Sequence, residues 1–272
     1  MTRPKKSLGQ NFLNDSNVAR KIVQSLKLKE RDRVLEIGPG KGALTGLLLA
    51  EVGRIAAIEI DDELARVLKE RFASSLMLYQ DDVLHLELRS IVEAMGGKIR
   101  IVGNIPYNIT TPILFWIVDA SEHVIDCTLM MQREVALRLV AKPRTKEYGI
   151  LSVFAQYYSR PTLEFTVPPG AFTPVPAVTS ALVSLRFELP HIPKAHDDAV
   201  FRTIVRGTFG KRRKTLRNGL RSLELPLELF ETLPIDLNRR PEELSVEEFV
   251  ALADAAEQYK PRHVPSKGRK RS

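Results

Sequence analysis

VLEIGPGKGALT, residues 34–45, joins a short apolar run to a helix-like one through Gly38, Gly40 and Gly42. Glycines between a strand and a helix let the backbone turn sharply and approach a ligand closely. Outward from this stretch the pattern alternates. LTGLLLAEV reads as a helix, RIAAIEI as a second strand, and DDELARVLKERF as a helix with acids in its first turn, where they suit the macrodipole. SLMLYQ, KIRIVGN and VIDCTLMM read as further strands, with helical TTPILFWIV and REVALRLVA between or after them. Strand and helix in regular alternation predict an α/β domain, a mostly parallel sheet covered by helices on both faces. After Gly149, ILSVFAQYYS and SALVSLRFEL read as two strands separated by the loop VPPGAFTPVPAVT, an antiparallel finish to the sheet.

At ELPHIPKAHDD the composition shifts, and Pro190 and Pro193 mark a linker. Beyond it AVFRTIVRGTFGKRRKTLRNGLRSL, PLELFETL and SVEEFVALADAAEQY are helical, the last opening on a capping-box pair, Ser245 and Glu248. The expected organisation is a sheet domain over 1–187, a small all-helical domain over 188–260 and a basic disordered tail over 261–272. The start, MTRPKKSLGQNFL, lacks the apolar segment of a signal peptide, and no apolar run reaches the ~20 residues that span a bilayer. The single cysteine, Cys127, excludes an intrachain disulfide and a multi-cysteine metal site. A cytoplasmic, metal-free protein with no membrane association is expected, and nothing in the sequence demands more than a monomer.

Charge is unevenly placed. Residues 199–222 carry eight basic side chains and no acid, and residues 260–272 carry six more. These fourteen charges, against a net charge of +8, leave −6 on the rest of the chain. A concentrated basic surface fits a polyanionic partner held by counterion release. Arg206, Lys211, Arg212, Arg213, Lys214 and Arg217 are the expected nucleic-acid contacts.

The glycine spacing and two acids indicate the cofactor. Glu59 ends the second strand, 21 residues beyond Gly38, the usual offset of an acid that hydrogen-bonds ribose hydroxyls. The dinucleotide fingerprint G-x-G-x-x-G is not met, because Ala43 stands where its third glycine would fall. The acid that opens EIGPG suits a cationic amino-acid end better than a pyrophosphate, which points to S-adenosyl-L-methionine. Asp82, after the third strand, is placed to accept from an adenine amino group; Asp81 is the weaker candidate, and either could instead cap the following segment.

GNIPYNITTP, residues 103–112, ends the fourth strand on the same sheet edge. Methylation of an exocyclic amine wants such a turn. The Asn104 amide oxygen and a backbone carbonyl such as that of Ile105 can each accept one proton of an adenine N6, turning its lone pair toward a methyl donor. Pro106 stiffens the turn. Tyr107 offers a ring to stack on the base or to face the sulfonium, and Phe172, in the proline-stiffened PPGAFTPVP, offers a second stacking surface or else packs in the core under that loop.

GQNFL, EIGPGKGALT, AIEID, GNIPYNI and AFTPVPAVTSALV together resemble the motif series of the ribosomal RNA adenine N6,N6-dimethyltransferases, most nearly the bacterial small-subunit type. The resemblance runs through KRRKTLRNGL and RRPEELSVEEF into the helical region. It implies a Rossmann-like methyltransferase sheet with a helical appendix that docks on RNA. The implied activity is dimethylation of two adjacent adenosines near the 3′ end of 16S rRNA in the small ribosomal subunit, with a part in subunit biogenesis. It also implies that Asn11 and Leu13 rim the cofactor pocket, that Gly38, Glu59, Asp82 and Asn104 line it, and that Tyr107 and Phe172 sandwich the extruded adenine. Methyltransferases of large-subunit rRNA that confer macrolide resistance share the core and a related Asn-Ile-Pro-Tyr/Phe motif. A ribosome-assembly factor that acts by binding, and a DNA adenine methyltransferase, are further readings of the same features.

Overall fold

The computed structural model describes residues 4, 5, 8–187, 192–210, 215–257 and 259. Two compact units divide the chain, Met1–Ala141 with Phe154–His191, and Lys142–Val153 with Ile192–Ser272. Elements follow in the order β1 (Phe12–Leu13), α1 (Ser16–Leu26), β2 (Val34–Ile37), α2 (Thr45–Val52), β3 (Ile55–Ile58) and α3 (Asp62–Phe72). Next come β4 (Leu76–Tyr79), α4 (Leu88–Met95), β5 (Ile99–Asn104), α5 (Thr110–Asp119), β6 (Val124–Gln132) and α6 (Arg133–Leu139). Then come α7 (Ile150–Tyr158), β7 (Arg160–Val167), β8 (Phe172–Thr173) and β9 (Ser180–Arg186). The chain continues with α8 (Asp198–Phe209), α9 (Leu216–Arg221) and α10 (Val246–Glu257).

In the first unit, seven strands form one sheet in the order β4-β3-β2-β5-β6-β9-β7. The five from β4 to β6 are parallel, and β9 runs antiparallel to both its neighbours. Residues VLEI of β2 and IAAI of β3 are buried throughout. Strands covered on both faces carry such unbroken apolar runs. From β2 the chain proceeds to β3 and β4 on one side and returns to β5 on the other. A ligand crevice forms at the carboxyl ends of strands where the order reverses in this way. Gly103 permits β5 to lie there, since a Cβ on it would stand 2.6 Å from the Ile37 carbonyl oxygen.

The antiparallel finish exists, and SALVSLRFEL supplies its strand β9 as expected, but the partner strand differs. ILSVFAQYYS is the helix α7, not a strand. Every residue of its stretch 152–155 is buried, and an element buried all round shows no period by which helix and strand can be told apart. β9 pairs instead with β7, whose side chains alternate exposed and half-buried along RPTLEFTV. Pro161 is tolerated because β7 is an edge strand. Helices α1 and α4, and the two-residue pairing of β1 with β8, lay outside the sequence reading.

In the second unit, Asp197 caps α8 by accepting from the N–H groups of Ala199 and Val200. Phe209 of α8 and Phe249 of α10 pack with ring centroids 5.6 Å apart. Gly219 lets α9 approach α8, because a Cβ there would lie 2.9 Å from Thr208 Cα. The expected capping box is present: Glu248 accepts from Ser245 N–H at 2.8 Å, and Ser245 Oγ accepts from Glu248 N–H at 3.3 Å. PLELFETL contributes a single 3₁₀ turn, Leu227–Phe230, in place of a full helix. Lys211, Arg212, Arg213, Lys214 and the tail 261–272 lie outside the described residues.

Candidate active site

Gly38 and Gly40 have φ of 68° and 57°, a left-handed conformation that glycine adopts without cost. Gly38 N–H is held by the Ile58 carbonyl at 3.0 Å, which ties the loop to the end of β3. Gly40 N–H donates to Glu59 Oε2, and Asp61 N–H donates to Glu59 Oε1, each at 3.0 Å. The Glu59 carboxyl is therefore fixed between the glycine loop and the head of α3. It is 5% exposed, and burial raises its pKa while the backbone donors at Asp61 and Gly40 pull the other way.

Beside it opens a cavity of about 270 Å³. Gly38, Glu59 and Asp82 line it from the ends of β2, β3 and β4; Asn104, Ile105 and Tyr107 line it from the end of β5. Asn11 and Leu13 close it from the N-terminal segment. Asp82 also caps the next turn, accepting from Leu84 N–H at 2.9 Å, so the capping and the cavity-lining roles coincide. Glu36, the acid of EIGPG, lines the cavity from beneath and accepts from Thr45 Oγ1 at 2.7 Å. Burial pushes its pKa up to about 8, the Thr45 bond opposes this, and the neighbouring Glu59 adds to it.

At the end of β5, Asn104 Nδ2 donates to the Asn11 carbonyl at 2.9 Å. That bond sets which way the amide faces, because only the nitrogen end can donate. Ile105 is buried, and its N–H donates to the Met130 carbonyl at 3.3 Å. The Pro106 carbonyl accepts from Ile109 N–H and Thr110 Oγ1, which fastens the turn to the start of α5. Tyr107 is half-buried, and its hydroxyl shares a 2.6 Å hydrogen bond with Ser180 Oγ. Burial raises the Tyr107 pKa. The ring is therefore anchored at its far end.

Phe172 is placed differently from its neighbours in the motif series. It sits opposite Leu13 in the β1–β8 ladder, 1% exposed, in the apolar cluster with Val102, Met130 and Leu182. It does not line the cavity. Arg206 and Arg217 lie on α8 and α9. Ser180 and Gln10 were not among the expected site residues, although both fall inside quoted motifs, PAVTSALV and GQNFL. A serine or glutamine in a motif carries no signal of its own until its partner in space is known.

The residues present suit S-adenosylmethionine. Two features argue for it: a buried acid bridging a glycine loop, and two further acids at the same sheet edge. Comparison with known proteins bears on the family. The family model for ribosomal RNA adenine dimethylase matches residues 1–258. The ribosomal RNA small subunit methyltransferase A of Chlorobium phaeobacteroides is 47% identical over 252 residues, covering 91% of this chain and 92% of the relative. The protein of that name from Pseudomonas aeruginosa is 43% identical over 256 residues, with 93% and 94% covered. Among solved structures, a dimethyladenosine transferase from Plasmodium falciparum superposes with a TM-score of 0.77 at 24% identity, covering 91% of this chain and 98% of its own. The 23S rRNA methyltransferase ErmE does so with 0.67 at 25% identity, covering 91% and 100%. With a family match over nearly its whole length and relatives of that identity, the chain is a methyltransferase and belongs to the ribosomal RNA adenine dimethylase family.

Proposed function

We propose that this protein dimethylates the N6 amines of two adjacent adenosines near the 3′ end of small-subunit rRNA, using S-adenosylmethionine, and so takes part in small-subunit biogenesis. The observation that carries the proposal is the Asn104–Tyr107 turn, which faces the same cavity as Glu59 and the glycine loop.

When bound, S-adenosylmethionine supplies a methyl group on a positively charged sulfur. Glu59 would accept from the ribose hydroxyls, Asp82 from the adenine amine, and Asn11, Leu13 and Gly38 would wall the remainder. In the first transfer Asn104 Oδ1 and the Ile105 carbonyl each accept a hydrogen bond from the target N6, and in the second the monomethylated nitrogen donates its one remaining N–H. An amine so held turns its lone pair into the cavity, and each transfer ends with one N6 proton released to solvent, so rate comes from position and electrostatics without a strong base. Tyr107, anchored through Ser180, stacks on the extruded base. Phe172 supplies the opposite face only if its loop shifts, since its ring is buried in the core. Arg206, Lys211, Arg212, Arg213, Lys214 and Arg217 hold phosphates, in a helical docking domain that begins near residue 188. The protein works as a cytoplasmic monomer and needs no metal.

The test is transfer of tritiated methyl groups to small subunits from a strain lacking the modification, followed by nucleoside analysis. Dimethyladenosine approaching four methyl groups per subunit is expected. Incorporation into large-subunit rRNA alone, into DNA alone, or none at all, overturns the proposal.

A further inference from the structure

The N-terminal segment does more in this structure than rim a cavity. Asp61 is 3% exposed and caps α3 through the N–H groups of Glu63 and Leu64. Its carboxylate also receives Gln10 Nε2 on Oδ2 and Lys5 Nζ on Oδ1, both at 3.0 Å. The Lys5 N–H in turn donates to Gln10 Oε1 at 2.8 Å. A buried carboxylate that accepts from two side chains and two backbone groups is held in one orientation. Burial alone would raise the Asp61 pKa, and these donors more than reverse that, holding it below the usual range.

One residue beyond Gln10, the Asn11 carbonyl accepts from Asn104 Nδ2 at 2.9 Å. One residue before it, Gly9 lies against the same turn: at φ of 60°, a Cβ on it would meet Asn108 Oδ1 at 2.9 Å. Further along, the Phe12 ring rests on the glycine loop, 3.1 Å from where a Gly40 Cβ would be. The segment is thus pinned to Asp61 on one side and to Asn104 on the other. Asp61 N–H meanwhile holds Glu59.

We infer that Gln10, assisted by Lys5, is a positioning residue for the transfer: by tying the segment to Asp61 it holds the Asn11 carbonyl against Asn104 and so fixes the Asn104 amide with its oxygen toward the target amine. This rests on the proposed role of Asn104. Without the tie, the Asn11 carbonyl loses its fixed place, the Asn104 amide can rotate, and its nitrogen can face the amine it should accept from. Misplacing a group in this way lowers turnover rather than cofactor binding.

Two measurements on the full-length protein test the inference. With asparagine labelled in its side-chain amide, Gln10→Ala should raise proton exchange at Asn104 Nδ2 by ~10-fold or more. In methyl transfer to small subunits, kcat should fall by ~10-fold while the cofactor Kd from calorimetry stays within about two-fold. Gln10→Glu sets a second carboxylate against Asp61 and should act like Gln10→Ala, whereas Lys5→Arg should keep wild-type values. Unchanged amide exchange overturns the inference. So does a change confined to cofactor affinity, or a loss of activity explained by a lowered melting midpoint. Should the wild type transfer no methyl group to either subunit, the proposed function falls, and the exchange measurement still decides whether the tie orients Asn104.

Discussion

A carboxyl walled in beside another carboxyl keeps its proton, and Glu36 is in that position. Its ordinary pKa of 4.5 is raised to about 8 by burial, with Glu59 adding to the effect. Between those values the unfolded chain has released the proton and the folded chain has kept it. The unfolded state then binds fewer protons, and stability falls as pH rises through the window. Glu36→Gln retains an acceptor for Thr45 and removes the titration. The variant should match the wild type near pH 4.5 and exceed it at pH 8, by an amount on the order of a few kcal/mol. Denaturant midpoints at pH 4.5, 6.5 and 8 check this, and parallel profiles would reject it. Two other single changes separate binding from chemistry. Glu59→Ala should weaken S-adenosylmethionine binding, read by calorimetry, since it removes the bridge between Gly40 and Asp61. Asn104→Ala should abolish transfer while the cofactor Kd stays nearly unchanged. At this scale the sequence was informative wherever a residue type implies a chemistry: glycine in a turn, an acid at a strand end, an amide before proline. It was silent on Gln10 and Ser180, whose use depends on Asp61 and Tyr107, each 51 or more residues distant.

Strands and helices were readable where one pattern excludes the other. IAAI followed by DDELARVLKERF shows a change of period, and β3 and α3 fall there. ILSVFAQYYS shows none, because β-branched and aromatic residues fit a buried helix as well as a strand. RPTLEFTV was obscured by its proline, which only an edge position admits. Element geometry also reaches the site. β5 carries Asn104 at its end and lies beside β2 only because Gly103 has no side chain. Gly103→Ala should push β5 from β2, lower stability by ~1–3 kcal/mol, and reduce transfer by more than the stability loss explains. Equal transfer per folded molecule would show that the turn tolerates the shift. At the end of α3, Ala73 holds φ 44° and ψ −127°, a region open to glycine and costly to other residues. Ala73→Gly should stabilise the protein by ~1 kcal/mol, visible in the thermal midpoint with kcat unaffected.

Across the whole molecule, charge and chemistry are carried by different residues, and that division can be measured. The cavity residues at the sheet edge include Glu59, Asp81 and Asp82, carboxyl groups unsuited to phosphate. The positive residues gather in 199–222. Part of that charge is already answered, since Arg202 Nε donates to Asp198 Oδ2 at 2.7 Å. Phosphate contacts position a protein on nucleic acid, and contacts to the base specify. If the helical region holds phosphates and the turn at Asn104 selects the base, the two should separate in a salt titration of small-subunit binding. Each phosphate contact removed should flatten the slope of log K against log salt by ~0.7–0.9. Exchanging Lys211, Arg212, Arg213 and Lys214 for glutamine should therefore lower both affinity and slope, and adding Arg206→Gln and Arg217→Gln should lower them further. Asn104→Ala should leave the slope as it is while transfer is lost. A slope indifferent to the basic residues would make them a solvated face and move the docking surface elsewhere in the chain. A slope that changed with Asn104→Ala would mean that the extruded base, and not the phosphates, governs how the subunit is held.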